Sequence, residues 1–375
     1  MQVYLDNAAT TPLDPEVIAA MQEFMQLHYG NPSSVHSKGR EARVKIEIVR
    51  KQLASLFGCK EKELLFTSGG TEGNNAILKS LAQSHRVKRI ISSLIEHHSV
   101  LDTLHWIEEY TAVEVVYLQV NEQGEISLAE LEKLLQEPAE TLVSLMHANN
   151  ETGNLQNIHT VGTLCRSYKA LFHSDMVQTF GHIPINLSDL PIDFATGSAH
   201  KVHGPKGVGF VYAKTSKLTP FQQGGAQERG IRGGTENGYG IIGMGKAYQV
   251  AFQNKNNDLQ HFIKLKAHLI AGLAQAVNGI TFNGNSDSNK LSLSNIINLK
   301  LPGTYDDTLL FKLDMQGVCV SEGSACSSGA SEGSHVINAI YKGKAKSNNL
   351  RLSFSKYTTI KELDYFISAL AENYT

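Results

Sequence analysis

The chain has 375 residues, of which 41% are hydrophobic and 19% are charged, and its formal net charge is −2. This is an ordinary globular composition with enough apolar residues for a large core, and the length predicts two domains. The nearly balanced charge argues against direct binding of nucleic acid. No apolar run is long enough to span a bilayer or to act as a secretory signal, so we expect a cytoplasmic protein with no membrane partner.

Short apolar runs alternate with helical patterns from about residue 60. Strands are predicted at ELLFTS, RIISS, VEVVYL, TLVSLM, ALFHS, IDFATGS and GVGFVYA, and helices at TEGNNAILKSLAQ, SVLDTLHWIEEY and SLAELEKLLQE. The last of these helices opens with a Ser127…Glu130 capping box. The alternation predicts an α/β fold with a mainly parallel sheet between helices, with ligands bound beyond the carboxyl ends of its strands.

The pattern changes after GVGFVYA. A glycine-rich segment leads into a long helical region, which is followed by separated strands, SNIINL and NLRLSF, and by a last helix with a Thr359…Glu362 capping box. We therefore predict a large domain over residues 15–255 and a smaller α+β domain formed by residues 1–14 and 256–375. No pattern in the N-terminal strand VYLD itself favours one domain, so its placement in the smaller domain is an expectation for the structure to test.

Two loops that follow predicted strands suggest chemistry. In GSAHKVHGPKGVGFVY, Lys201 stands between a strand and a Gly/Pro-rich turn. A partly desolvated lysine there can act as an amine nucleophile, although a solvated surface lysine is the simpler reading. In LFTSGGTEGNN, Gly70 and Thr71 open a helix whose free N–H groups suit a phosphate, and an ordinary strand-to-helix turn is an equal alternative.

Three further loops add polar side chains. Asp175 and Gln178 follow ALFHS, where a carboxylate could hold a protonated ring nitrogen and an amide could bind a ring hydroxyl; an Asp that caps a turn is the alternative. His97 follows another strand and could stack on a flat ring, or simply begin a helix. Asn150 lies at one more strand end.

Taken together, these loops supply a lysine, an aspartate, a histidine, amides and a phosphate cup. The combination predicts pyridoxal 5′-phosphate, with its aldehyde bound covalently to lysine. A chance occurrence of all five features in one chain is far less expected than an ordinary structural role for any one of them.

The four cysteines form neither a disulfide framework nor a CxxC pair, so we predict no metal site. Cys165 lies in a helical pattern and Cys319 in an apolar one, and for both, as for Cys59, we predict a structural role. Cys326 differs, because VSEGSACSSGASEGS surrounds it with small residues that cannot bury it. It is either a passive loop thiol or a thiol that the loop delivers to a ligand.

Nearly end to end, the sequence resembles the cysteine desulfurases of the NifS/IscS family. The motifs that support this are YLDNAATTPLDPEV, GNPSSVHSKG, TSGGTEGNN, EHHSV, MHANNETG, DMVQTFG, SAHKVHGPKGVG, RGGTENG, GSACSSG and LRLSFSKYTT. The resemblance implies the aspartate-aminotransferase-like fold of the class V enzymes that use pyridoxal phosphate.

The resemblance also implies a role for each candidate residue. Lys201 would bind the cofactor covalently, Asp175 would pair with its ring nitrogen, and His97 would stack on the ring and assist proton transfer. The groups expected around the rest of the cofactor are Gln178 at the ring hydroxyl, Asn150, and Gly70, Thr71, Ser198 and His200 at the phosphate. Thr235 would reach the phosphate from a partner subunit, which implies a homodimer.

The implied activity is removal of sulfur from L-cysteine. Asn150 and Arg351 would fix the substrate carboxylate, and Cys326 would accept the sulfur as a persulfide and pass it to an acceptor protein, for iron–sulfur cluster assembly or for thiolation of tRNA or other targets. A selenocysteine lyase or another class V enzyme stays open as an alternative, as does a catalytically silent binding protein. Met176 stands where the family usually has a small residue, which could alter packing around the cofactor.

Overall fold

A computed structural model describes residues 1–84, 86–214, 218–303, 306–323, 333–343 and 348–374. The helices are α1 (Pro15–Leu27), α2 (Ser37–Phe57), α3 (Gly70–Gln83), α4 (His98–Tyr110), α5 (Leu128–Gln136), α6 (Ile158–Ser167), α7 (Gly238–Ala276), α8 (Leu309–Met315), α9 (His335–Tyr341) and α10 (Ile360–Glu372). The strands are β1 (Val3–Tyr4), β2 (Leu64–Thr67), β3 (Arg89–Ser93), β4 (Glu114–Leu118), β5 (Thr141–Ser144), β6 (Leu171–Asp175), β7 (Phe194–Ser198), β8 (Gly209–Ala213), β9 (Thr281–Phe282), β10 (Ile296–Leu301), β11 (Val318–Cys319) and β12 (Asn348–Ser353).

Within these ranges the largest sheet has seven strands in the order β2-β8-β7-β6-β5-β3-β4. Strand β8 runs antiparallel to both of its neighbours, and all the other pairings are parallel. The α/β fold with a mainly parallel mixed sheet is therefore confirmed. Because β2 and β7 both oppose β8, β2 points in the same direction as the parallel strands, and its carboxyl end lies at the same edge.

Apolar side chains cover both faces of this sheet. Strands β5 and β7 are buried at every residue, as expected for strands covered by helices on both sides. One face packs with α2, α6 and the first part of α7, and the other packs with α3 and α4. The loops at the carboxyl edge are thus held on a rigid layered scaffold.

Smaller sheets form a second region. The antiparallel sheet β12-β10-β9 and the parallel pair β1-β11 share a hydrophobic cluster with α10 and the second part of α7. The N-terminal strand pairs with β11, with Val3 opposite Val318, so it joins this region rather than the seven-stranded sheet. The division into residues 15–255 and residues 1–14 with 256–375 stays a prediction, and its boundary falls inside α7.

Two predicted capping boxes have different outcomes. At α10 both halves form, since the Thr359 side chain accepts from the Glu362 N–H and the Glu362 carboxylate accepts from the Thr359 N–H. At α5 Ser127 accepts from the Glu130 N–H, but the Glu130 carboxylate accepts from the Gln119 N–H at 3.0 Å instead. This contact with the residue just after β4 replaces the second half of the box. None of the described helices is both long and apolar enough to cross a membrane.

Candidate active site

A cavity of about 230 Å³ lies at the carboxyl edge of the large sheet. The loops after β2, β3, β5, β6 and β7 converge on it, as the common direction of these strands requires. Ten of the predicted site residues line this cavity: Gly70, Thr71, His97, Asn150, Asp175, Gln178, Ser198, His200, Lys201 and Arg351. Residues from opposite ends of the sequence are therefore neighbours in space.

The other two predicted site residues do not belong to this set. Thr235 is exposed and does not line the cavity of its own chain. Cys326 lies outside the described residues. Two salt bridges hold the segment before Thr235 against the rest of the chain. The buried Glu228 carboxylate pairs with Arg50 at 2.7 Å, and Arg232 pairs with Glu72 at 2.9 Å.

The start of α3 forms one end of the cavity. Its N-cap residue is Gly69, which provides no side-chain acceptor for the first helical N–H groups. Gly70 and Thr71 line the cavity, and a Cβ at Gly70 would come within 2.8 Å of Val177 Cγ2. A helix start with free N–H groups and no side-chain cap is suited to a phosphate group.

Asp175 lies at the end of β6 and is only 7% exposed. Its Oδ1 accepts from the Val177 N–H at 3.0 Å, and its Oδ2 accepts from Asn74 Nδ2 at 2.7 Å. These donors hold the carboxyl group in one orientation at the cavity wall. A carboxylate held in this way is suited to pair with a protonated ring nitrogen.

His97 caps α4 and is connected to Asp175 through a short polar network. Asn74 Nδ2 donates to Ser99 Oγ at 2.8 Å, and Ser99 Oγ lies 2.8 Å from His97 Nδ1. The Ser99 N–H also donates to Nδ1 at 3.1 Å, which places the proton of the neutral ring on Nε2. Burial lowers the pKa of His97, and the nearby charge of Lys201 adds to this effect against the opposing influence of Asp175. The ring is therefore neutral at physiological pH.

Lys201 ends the short 3₁₀ turn Ala199–Lys201 after β7. Its Nζ donates to the carbonyl oxygens of Ala8 and Ala9, at 2.5 Å and 2.8 Å. Both alanines line the cavity, so the N-terminal segment directs the amine into it. Gln178 is held against the same segment, since its Nε2 donates to the Ala8 carbonyl at 3.1 Å.

His200 and Ser198 flank Lys201. His200 Nδ1 lies 3.2 Å from Thr10 Oγ1. Burial lowers the pKa of His200 to about 3, helped by the charges of Lys201 and Lys206. The imidazole is therefore a neutral hydrogen-bonding group beside the cavity rather than a second cation.

Arg351 lies on β12, so the region of the smaller sheets also contributes a residue to the site. Its guanidinium is 1% exposed, and it donates to Asp6 Oδ1 at 2.6 Å and to the Asn150 carbonyl at 3.1 Å. Its Nε is buried and has no hydrogen-bond partner among the described residues. A planar cation with an unused buried donor at the cavity wall is suited to a substrate carboxylate.

Sequence reasoning missed five residues that contribute to the site: Asp6, Asn74 and Ser99 through their side chains, and Ala8 and Ala9 through their carbonyls. Asp6 and Asn74 belong to motifs that support the family resemblance, YLDNAATTPLDPEV and TSGGTEGNN, but nothing in the sequence indicates which residues they contact.

Met176 is fully buried in the hydrophobic core, and it does not line the cavity.

Comparisons with known proteins agree with this geometry. Residues 3–366 match the family described as aminotransferase class-V. The chain is 42% identical over 373 residues to cysteine desulfurase IscS of Dictyoglomus turgidum, which covers 98% of this chain and 93% of the relative. It is 39% identical over 367 residues to the putative cysteine desulfurase IscS 1 of Bacillus subtilis, which covers 96% of each chain.

Solved structures show the same relationship. A NifS-like protein superposes with a TM-score of 0.90 at 37% identity, covering 100% of this chain and 99% of the other. A structure described as SspA in complex with cysteine superposes with a TM-score of 0.81 at 30% identity, covering 96% of this chain and all of the other. This chain therefore belongs to the cysteine desulfurases of the NifS/IscS family, the pyridoxal-phosphate-dependent enzymes within the class V aminotransferases.

Proposed function

We propose that this enzyme converts L-cysteine to L-alanine and leaves the sulfur as a persulfide on Cys326. The overall change is balanced without an added oxidant, because cysteine and the enzyme thiol give alanine and an enzyme persulfide. The observation that best supports the proposal is the meeting of Lys201, Asp175, the α3 start and Arg351 around one cavity.

The described residues fit pyridoxal 5′-phosphate. The uncapped start of α3, with Ser198 and His200 nearby, would hold the phosphate, Asp175 the ring nitrogen, Gln178 the ring hydroxyl, and Lys201 the aldehyde carbon. The bound cofactor supplies an electron-withdrawing ring conjugated to the α-carbon of the substrate.

The protein's own groups would then position the substrate and move protons. Arg351 Nε and the Asn150 side chain would orient the substrate carboxylate, so that the α-hydrogen points toward Lys201 Nζ, which would take the proton. His97 is neutral with its proton on Nε2, so it is better placed to donate a hydrogen bond than to deprotonate Cys326. Deprotonation of that thiol by His97 would require loss of the Ser99 contacts at Nδ1.

Product analysis tests the proposal directly. With pyridoxal phosphate, L-cysteine and dithiothreitol, the purified protein should form alanine and sulfide in equal amounts. A kcat/KM for L-selenocysteine well above that for L-cysteine would favour a selenocysteine lyase instead. Failure to form alanine from either substrate, by protein that contains bound cofactor, would reject both activities.

A homodimer is part of the proposal, because Thr235 is exposed on its own chain and would complete the cavity of a second copy. Exposed apolar side chains on α1, α2, their connection and the start of α7 are proposed to form the contact between the two copies: Met25, Leu27, Tyr29, Val35, Val44, Ile48 and Tyr239. Gln227 Nε2 donates to Ser33 Oγ at 3.2 Å, and this hydrogen bond links the segment before Thr235 to the connection between α1 and α2. Such a surface is typical of a protein interface.

Ile48→Asp should separate the dimer, because it would place a carboxylate on this apolar surface, where Ile48 is 55% exposed. Sedimentation velocity should show the monomer, and affinity for pyridoxal phosphate should fall about tenfold through loss of the partner's hydroxyl and neighbouring contacts. Phe311→Asp, on exposed apolar surface of α8, is the control and should remain dimeric. An Ile48→Asp dimer as stable as wild type would exclude this surface.

The sulfur acceptor is proposed only as a protein thiol or scaffold. Use of the sulfur for iron–sulfur cluster assembly or for thiolation, and a cytoplasmic location, stay predictions.

A further inference from the structure

The described residues on the two sides of the segment that carries Cys326 lie beside the same buried carboxyl group. Residues 324–332 lie outside the described ranges, but Gly323 before them and Ser334 after them both meet Glu151. The Ser334 hydroxyl donates to Glu151 Oε2. A Cβ at Gly323 would lie 3.2 Å from the same oxygen.

Glu151 is itself held firmly. It follows Asn150 in the turn after β5 and has no exposed surface. Its N–H donates to Asn149 Oδ1 at 2.9 Å, and its carbonyl accepts from Asn298 Nδ2 at 3.0 Å. Both main-chain groups of Glu151 are therefore hydrogen-bonded, and its carboxyl group lies next to the two flanking residues. A buried carboxyl is costly unless it is hydrogen-bonded, so its contact with Ser334 is expected to persist.

Each flank also contacts an element that carries a residue of the active site. On the N-terminal side, Ser321 pairs with Arg351, whose N–H donates to the Ser321 carbonyl at 2.6 Å. On the C-terminal side, His335 Nε2 lies 2.9 Å from the Glu96 carbonyl, directly before His97. Ser334 also caps α9, since its Oγ accepts from the Ile337 N–H at 3.1 Å. The two flanks are therefore joined to the strand that carries Arg351 and to the residue directly before His97.

We propose that Glu151 is a positioning residue that fixes the base of the Cys326 segment and so aligns the thiol with the substrate sulfur. The proposal rests on the proposed function. Glu151 does not line the cavity, and its effect is exerted through Gly323 and Ser334. The chemical class of group that it positions is a nucleophilic thiol, rather than the cofactor or the substrate carboxylate.

The first test is Glu151→Gln, which preserves size and replaces one carboxyl oxygen with an amide NH₂ group. Cofactor content and the KM for L-cysteine should stay within about twofold of wild type. The single-turnover rate of alanine formation should fall about tenfold, because small misalignment of a reacting group is costly. Glu125→Gln, an exposed carboxylate in a nearby turn, is the matched control and should behave as wild type.

A second readout does not use turnover. The rate at which iodoacetamide alkylates Cys326 without substrate, measured by peptide mass spectrometry against Cys319 in the same sample, should rise at least about threefold in Glu151→Gln as the ends of the segment loosen. An unchanged alkylation rate together with an unchanged single-turnover rate would overturn the proposal. A loss of rate that parallels loss of cofactor or a rise in KM would also overturn it, because it would show a general effect on the cavity.

Exchanging the donor and the acceptor of the Ser334–Glu151 hydrogen bond should restore part of the lost activity. Ser334→Asp keeps an acceptor that can cap α9 but places a second carboxyl against Glu151, so it should reproduce the Glu151→Gln effects. In the double variant the amide introduced at position 151 would donate to the carboxylate introduced at position 334, and both rates should return part of the way to wild type. Additive losses would contradict the direct link. If wild-type protein formed no alanine, the proposed function would fail, whereas the alkylation rates would still report on Glu151.

Discussion

Lys201→Ala is expected to lower kcat/KM for L-cysteine by at least about 10⁴-fold, since it removes both the covalent attachment point and the proposed proton acceptor. Among the described residues that line the cavity, Lys201 contributes the amine. Borohydride reduction of the wild-type holoenzyme, followed by peptide mass mapping, should place a pyridoxyl group on Lys201, and the variant should carry none.

Two further variants separate chemistry from structure. Lys201→Arg retains a cation that can donate to the Ala8 and Ala9 carbonyls, yet it cannot form the covalent link and should be as inactive as Lys201→Ala. Lys214→Ala, an exposed lysine just after β8, should retain wild-type activity. A pyridoxyl group on another lysine of wild-type enzyme, or sustained turnover by Lys201→Ala, would disprove the assigned role.

The sequence predicted the parts of the site that depend on local pattern. Alternating strands and helices placed the chemistry at strand ends, and the shared direction of the strands brought His97, Asp175 and Lys201 together. The start of α3 could be predicted because Gly-Gly after a strand is a local signal for a tight turn into a helix. Its suitability for phosphate became clear only when Gly69 was found to provide no side-chain cap.

Contacts between distant segments could not be predicted in the same way. The Arg351–Asp6 pair joins positions 345 residues apart, and the Lys201 contacts with Ala8 and Ala9 use carbonyl oxygens, which every residue possesses. Asn74 donates to both Asp175 and Ser99 from the buried side of α3. Its position in the sequence does not distinguish it from any other asparagine in a helix. Glu130 shows the limit of local rules, because a tertiary acceptor–donor pair displaced a capping contact that its spacing favours.

Cys326→Ala is expected to lower alanine formation by at least about 10³-fold, because it removes the proposed sulfur acceptor. The other three cysteines are poor substitutes. Burial raises the pKa of Cys59 and of Cys165 to about 12 and also raises the pKa of Cys319, so little of the reactive thiolate forms at any of them. None of the three lines the cavity.

The measurement should separate loss of the acceptor from loss of the cofactor site. Visible absorbance should show that Cys326→Ala binds pyridoxal phosphate as wild type does, while alanine production with L-cysteine and dithiothreitol disappears. Without reductant, mass mapping of wild-type enzyme after a single turnover should find the extra sulfur on Cys326. In Cys319→Ser, the extra sulfur should still be on Cys326 and the rate of alanine formation should be unchanged. Continued turnover by Cys326→Ala, or a persulfide on one of the three buried or half-buried thiols, would show that sulfur leaves the substrate by another route.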